Sequence, residues 1–342
     1  MGADGKKADE KNIKKNITIA DVAEALGVSK TTVSRAISGK GRIGKETRAR
    51  VMEYISEHDY QPSVIAKGLA QSKTYNLCVV LPEHYGMSDL SFFQDCLFGI
   101  EKISGAADYD VLLCICDNHD ISSLERVIAN RKVDGVILMC SYVKDAQVEF
   151  LQEKKVPFVT IGSSDYAGVI QVDHNHQSAC QELTGVLLLK GLQRLALIGG
   201  DEAHMVTKQR YNGYLQAFAQ LHRQPDHALV RLGLSDPVLI DKAVRELAPQ
   251  VDAILCMDDA TANHVLKSLR ELGVEVPRQM KVASFYNGLL LENYVPAITA
   301  LAFNAKELGM AACRTMLDLI EGEYVPAKTL LPYEVILKES TT

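Results

Sequence analysis

No stretch of this 342-residue chain reaches the roughly eighteen apolar residues that a membrane-spanning helix needs, and no apolar signal core precedes a cleavage site near its start. No membrane-spanning helix is expected, and a cytoplasmic location is expected. The eight cysteines contain no CxxC pair, and most lie within apolar runs such as NLCVVLP and AILCM. They read as buried, reduced thiols, not as a metal clamp or a disulfide framework. GxGxxG is absent too: the glycines of LIGGDEAH follow a strand without completing that fingerprint, so no dinucleotide cofactor is expected. Neither a nucleophile nor a paired base lies near Asp258 and Asp259 in sequence, which leaves enzyme activity without support.

What is there is a core-forming composition, 47% hydrophobic and 23% charged, in a chain long enough for a small module joined to a larger body. The net charge of -6 conceals an asymmetry. Residues 1–73 carry 14 Lys and Arg against 9 Asp and Glu, and the remaining residues carry 23 against 34. A basic end on an acidic body points to a polyanion bound by the first segment alone.

Residues 1–16, MGADGKKADEKNIKKN, are polar and lysine-rich and read as a flexible leader. From Ile17 the pattern is three short helices. Thr18 with Asp21 resembles a capping box, Ile19, Val22, Ala23 and Leu26 form one apolar face, and Gly27 stops the helix. Ser29 can cap a second helix whose inner face is Val33, Ala36 and Ile37, with Gly39 and Gly41 beyond it. A third, KETRARVMEYISEHDY, buries Val51, Tyr54 and Ile55. The segment PSVIAKGLAQSK then bridges to the body; Pro62 and Ser63 allow a turn or two of helix, but Gly68 costs about 1 kcal/mol relative to Ala, leaving a helix marginal on its own.

Beyond Tyr75, buried-strand runs NLCVVLP, YDVLLCI, VDGVILMC and VPFVTI alternate with helical stretches near 91–107, 121–131 and 145–154. After VIQVD the alternation restarts, with helices near 175–190, 206–222, 236–247 and 260–272 between the strands RLALIGG, ALVRL, VDAILCM and MKVASFY. This predicts two doubly wound parallel sheets, hence two lobes, with a ligand crevice where their strand C-termini face each other.

GVSKTTVSRAI carries the sharpest chemistry. In a helix-turn-helix, Gly27 makes the turn, Val28 and Val33 pack inward, and the first turn of the second helix aims Lys30, Thr31 and Thr32 at base edges, with Ser34 and Arg35 following. Arginine can grip guanine at two points, hydroxyls donate or accept, and a threonine methyl can touch thymine. With Thr18 and Ser29 at the two helix starts, these are the candidate DNA-contacting residues of the first domain. The plain alternative is a small helical bundle with surface Ser and Thr, which the basic charge balance disfavours.

The run TIADVAEALGVSKTTVSRAISGKGRIGKETRARVMEYISEHDYQPSVIAKGLA resembles the DNA-binding headpiece and hinge of the lactose/galactose repressor family. The remaining body, to about residue 338, resembles that family's two-lobed, periplasmic-binding-protein-like sensor. The resemblance implies a headpiece over 17–61, a hinge helix and linker over 62–74, and an effector-binding and dimerisation domain over 75–338. Lobe 1 would hold 75–172 and 305–332, and lobe 2 would hold 173–303 and 333–338. It further implies a homodimeric repressor reading a pseudo-palindromic operator. Paired hinge helices would wedge Leu69 between central base pairs of the minor groove, with Ala66 facing the groove and the other hinge. A tail of the kind that makes tetramers is not seen before Thr342, so a dimer is expected.

For the effector, the resemblance places an arginine at Arg210 in TKQRYNGY, able to hold ring hydroxyls or an anionic group. The family's acidic and amide positions correspond to Asp258 with Asp259, and to Tyr286 and Asn287 in SFYNG, while Gly162 stands where some members have an aspartate. These departures remove carboxylate or amide acceptors and leave the effector's identity open, a carbohydrate being the expected class. Tyr85, Phe92 and Phe93 are the candidate aromatic surface, although a phenylalanine at a helix start serves a core as readily. Asn304 reads as a polar liner or a hinge residue. His174 and His176 in VDHNH share one face of a strand where the chain crosses between lobes, and no metal is expected there.

Three rivals remain. A catabolite-control regulator would use a phosphocarrier protein as co-repressor. A solute-binding protein would need an export signal and no headpiece, the reverse of this chain. An α/β enzyme would show turnover without DNA.

Overall fold

The computed structural model describes residues 17–38, 42–58, 60, 68, 71–83 and 87–342, without the side chains of 38 and 87–89. The chain divides between Thr74 and Tyr75 into two compact units.

In the first unit, α1 (Ile19–Leu26), α2 (Lys30–Ser38) and α3 (Lys45–Glu57) close around Val22, Ala23, Val33, Ala36, Val51 and Tyr60. Local chemistry sets the ends. Thr18 donates its backbone N–H to the Asp21 carboxylate at 2.7 Å, and the Asp21 N–H returns to the Thr18 hydroxyl at 3.4 Å, a reciprocal cap on α1. Gly27 ends that helix in the left-handed region, φ 64°, which a side chain would strain. Ser29 Oγ accepts the Thr32 N–H at 3.1 Å and so starts α2. Gly39 and Gly41, read as the stop beyond α2, lie outside the described residues.

The second unit holds two six-stranded sheets. The first contains β1 (Asn76–Leu81), β2 (Asp110–Ile115), β3 (Gly135–Leu138), β4 (Phe158–Ile161), β5 (Ile170–His174) and β11 (Lys328–Leu331), in spatial order β11-β5-β4-β3-β1-β2 and parallel throughout. The second contains β6 (Leu195–Ile198), β7 (Val230–Arg231), β8 (Ala253–Cys256), β9 (Lys281–Ser284), β10 (Thr299–Phe303) and β12 (Tyr333–Ile336), in order β12-β10-β9-β8-β6-β7. There only β12 runs antiparallel, because a single residue joins it to β11 and the chain cannot reverse in so short a span. The strand expected over ALVRL shrinks to two residues, Leu229 going instead into a 3₁₀ turn, His227–Leu229.

The apolar strand runs follow from burial on both faces. Along β1, Leu77, Val79 and Leu81 enter one core while Cys78 and Val80 enter another; along β6, Ala196 and Ile198 part from Leu195 and Leu197 in the same way. Each fully buried leucine or isoleucine contributes about 1.5–3 kcal/mol. No disulfide joins the cysteines, and all but Cys140 are buried.

Helices α4 (Met87–Ala106) and α11 (Ala305–Glu321) flank the first sheet; α7 (His176–Leu189) and α8 (Met205–Gln220) flank the second. Both pairs approach closely through glycine. A Cβ on Gly309 would lie 2.0 Å from the Cys96 carbonyl oxygen, and one on Gly213 would lie 2.3 Å from that of Gln177. The chain passes between lobes after β5, after β10 and between β11 and β12.

The body does not end at residue 338 as read from sequence. Ser340 is fully buried, donating to the Val282 carbonyl at 2.7 Å and accepting the Thr299 N–H at 2.8 Å, while Thr341 meets Thr299 Oγ1 at 2.6 Å. This last turn docks through hydroxyls, so no apolar periodicity announces it.

Candidate nucleic-acid face and ligand cavity

On α2, Val33 and Ala36 are buried, whereas Lys30, Thr31, Ser34 and Arg35 are exposed, and their side chains make no hydrogen bond to other described residues. Helical geometry sets these four along one arc of the surface. Ser29 and Thr32 differ, since their hydroxyls meet at 2.8 Å and Ser29 Oγ also accepts the Thr32 N–H. Thr18 is exposed, and its hydroxyl donates to Asp21 at 2.7 Å. The arc therefore offers an ammonium, a guanidinium and two hydroxyls, a set suited to phosphate oxygens and base edges. Ala66 and Leu69 lie outside the described residues.

In the second unit a cavity of about 940 Å³ opens between the sheets, lined by residues at the C-terminal ends of strands in both lobes. Lobe 1 contributes Phe92 and Phe93 from α4, Ser141 after β3, and Ser163 after β4; lobe 2 contributes Thr207 and Arg210 from α8. Two contacts between the lobes run across its edge: Val143 donates to the Ala203 carbonyl at 2.8 Å, and Met205 donates to that of Ser141 at 3.0 Å. The Tyr142 ring packs edge-on against His204 at 5.0 Å, and Lys208 of α8 reaches Asp165 at 2.6 Å.

Arg210 is only 9% exposed; it donates through Nη1 to the Met257 carbonyl, and its Nε has no partner among the described residues. A buried guanidinium with unspent donors favours an oxygen-rich ligand. Phe92 meets Tyr286 across the cleft, centroids 6.3 Å apart and near perpendicular, and Tyr286 lies almost parallel to Phe303 at 6.3 Å. Burial raises the Tyr286 phenol pKa, keeping it a neutral donor.

Asp173, His174 and His176 line the same space. The Asp173 carboxylate accepts from Ser163 Oγ at 2.9 Å and from the His174 N–H at 2.8 Å, yet burial still pushes its pKa up to about 6. Burial, and then the Arg210 charge, bring His174 down to about 4 and hold His176 well below its ordinary value. The 3.5 Å approach of His176 Nε2 to Asp173 is thus a contact of a neutral imidazole, not an ion pair.

Of the residues proposed from sequence, Phe92, Phe93, Arg210, Asp258 and Tyr286 fall on the cavity lining, Asp258 also capping α10 (Asp259–Glu271) by accepting the Thr261 N–H at 2.7 Å. Asn287 and Asn304 do not. Asn287 donates its N–H to the Leu301 carbonyl at 2.8 Å and accepts from Lys338 at 3.4 Å, because the chain beyond Tyr286 turns back onto β10. Asn304 is exposed and spends its carbonyl capping α11, accepting the Glu307 N–H at 3.0 Å. Tyr85 lies outside the described residues. At least four of the chain's nine histidines line the cavity: His174 and His176, read from sequence as sharing a strand face although His176 instead opens α7, and His204 and His264, which the sequence reading did not name. His174, His176 and His204 stand where a strand ends or a helix begins, whereas His264 lies in the second turn of its helix.

Residues 18–63 match the family described as "Bacterial regulatory proteins, lacI family", and residues 184–341 match "Periplasmic binding protein-like domain". The HTH-type transcriptional regulator MalR of Streptococcus pneumoniae is 28% identical over 338 residues, 94% of this chain and 99% of the relative. Catabolite control protein A of Staphylococcus aureus is 26% identical over 330 residues, 95% and 99% of the two chains. Among solved structures, a transcriptional regulator CelR–cellobiose complex aligns with a TM-score of 0.70 at 26% identity, covering 95% of this chain and 99% of that one. The lac repressor dimer bound to operator and the anti-inducer ONPF aligns at 0.78 and 22% identity, covering 96% and 99%, a likeness of fold.

Proposed function

We propose that this chain, whose residues 18–63 match the lacI family of bacterial regulatory proteins, is a DNA-binding transcription regulator of that family, a repressor governed by a carbohydrate, or a carbohydrate derivative, held between its lobes. It acts in the cytoplasm as a homodimer whose 17–61 headpieces read two halves of a pseudo-palindromic operator. Lys30, Thr31, Ser34 and Arg35 supply the groove contacts. Leu69, with Ala66, serves the hinge between residues 62 and 74.

The observation that carries the reading is the cavity around Arg210, where unspent donors stand beside aromatic rings. Ring hydroxyls satisfy the Arg210 guanidinium, and the apolar face of a sugar covers Phe92 and Tyr286. A ligand touching both lobes changes their relative populations only by its differential affinity for open and closed forms. The resulting coupling to DNA is typically about 1–3 kcal/mol.

The test is a thermal-shift screen of sugars, sugar phosphates, nucleosides and small acids, followed by binding to duplexes selected from a random pool. A ligand at 100 times its dissociation constant adds about 2.7 kcal/mol of stability. A carbohydrate that stabilises the protein and changes its affinity for the selected duplex supports the proposal. Silence across the panel, with duplex affinity changed only by a protein from cell extract, would replace it with the co-repressor reading.

A further inference from the structure

We propose that Asp173, His174 and His176 form a binding site for a divalent transition-metal ion of the zinc class in the wall of the interlobe cavity, with an open coordination position turned toward the cavity. The site goes beyond the effector reading and does not depend on it.

Sequence and fold bring the three together. Asp173 and His174 close β5, Asn175 caps α7 and His176 opens it, so the strand-to-helix turn gathers an Asp-His-x-His run on the cavity side. One ligand atom from each residue lies within 4.8 Å of the others. The 3.5 Å between His176 Nε2 and Asp173 Oδ1 is long for a hydrogen bond. It matches the edge, about 3.4 Å, of a tetrahedron with zinc–ligand distances of about 2.1 Å. A His174 nitrogen lies within 4.8 Å of the other two ligand atoms and completes that set if its ring draws in by up to about 1.4 Å.

Unmet valence points the same way. His174 is 2% exposed, and neither ring nitrogen has a hydrogen-bond partner among the described residues; His176 Nδ1 is likewise buried without one. Folded proteins rarely leave such atoms unanswered. The carboxylate is oriented by a second layer, Ser163 donating to Asp173 and Lys328 donating to Ser163 at 3.3 Å. Arg210 and the Lys328 ammonium are the charges that oppose the ion. Asp173 offsets them at the site, as does Asp258 elsewhere on the lining. Two histidines and one carboxylate leave one position of a tetrahedron for water or a ligand oxygen.

The full-length protein, stripped with chelator and holding no effector, should take up one zinc ion per chain in a calorimetric titration. Zinc X-ray absorption should show a nitrogen and oxygen shell with imidazole scattering. His174→Gln and His176→Gln should each weaken uptake at least tenfold, whereas His264→Gln, a cavity histidine outside the triad, should leave it unchanged. Equal uptake by wild type and both triad variants, a sulfur shell near 2.3 Å, or no uptake at millimolar zinc would overturn the site. If either triad variant loses its circular dichroism spectrum, the wild-type absorption spectrum decides alone.

Discussion

The two units offer their functional groups in opposite ways. On α2 the candidate contacts occupy neighbouring positions and point outward, so each side chain can be exchanged without disturbing Val33 or Ala36 beneath. In the larger unit the cavity is assembled from the ends of strands in both sheets, and its polar groups are buried among the residues that hold the lobes together. Surface contacts are thus separable from stability, whereas cavity contacts are entangled with it.

That contrast can be broken at its strongest point. Phe285 is fully buried next to Tyr286, and Phe285→Ala should destabilise the larger unit by about 3–5 kcal/mol in denaturant unfolding, with loss of ligand response. A ligand response that survived intact would show that the cavity does not depend on that core. Arg35→Ala is the opposite case: operator affinity should fall by about 1–3 kcal/mol and base preference should relax, with an unchanged unfolding midpoint. An unaltered preference in competition binding would remove Arg35 from the recognition face.

Smaller effects sharpen the boundary. Arg210→Ala should abolish the shift in operator affinity that ligand produces, a coupling of about 1–3 kcal/mol, while DNA binding without ligand persists. Normal induction in that variant would move the effector away from the guanidinium. Thr18→Ala removes half of the reciprocal cap and should lower headpiece stability by about 1 kcal/mol, read from thermal unfolding, with no change in effector affinity.

Legibility followed the same division. The headpiece helices could be read because their signals are local: Thr18 with Asp21, Gly27 and Ser29 each act within a few residues of where they stand. The strands of the body were equally plain as apolar runs, and the restart after β5 announced a second sheet. The cavity was legible only in part. Arg210, Phe92 and Tyr286 stand on its lining, but Asn287 and Asn304 follow the same strand ends and turn away, one onto β10 and one into a helix cap. Which way a residue leaves a strand end depends on what packs behind it, and no spacing rule carries that information.

Sequence by itself determined the capped three-helix headpiece with its outward basic arc, and the two sheets that sandwich alternate strand residues between layers, because propensity, capping and apolar periodicity act over a few residues. Tertiary structure alone decided that Ser340 would dock into the second sheet, that Asp173, His174 and His176 would share a buried wall with Arg210, and that Tyr142 would reach His204 across the cleft. Those outcomes rest on contacts between segments far apart in the chain, whose geometry is fixed only once both lobes have packed.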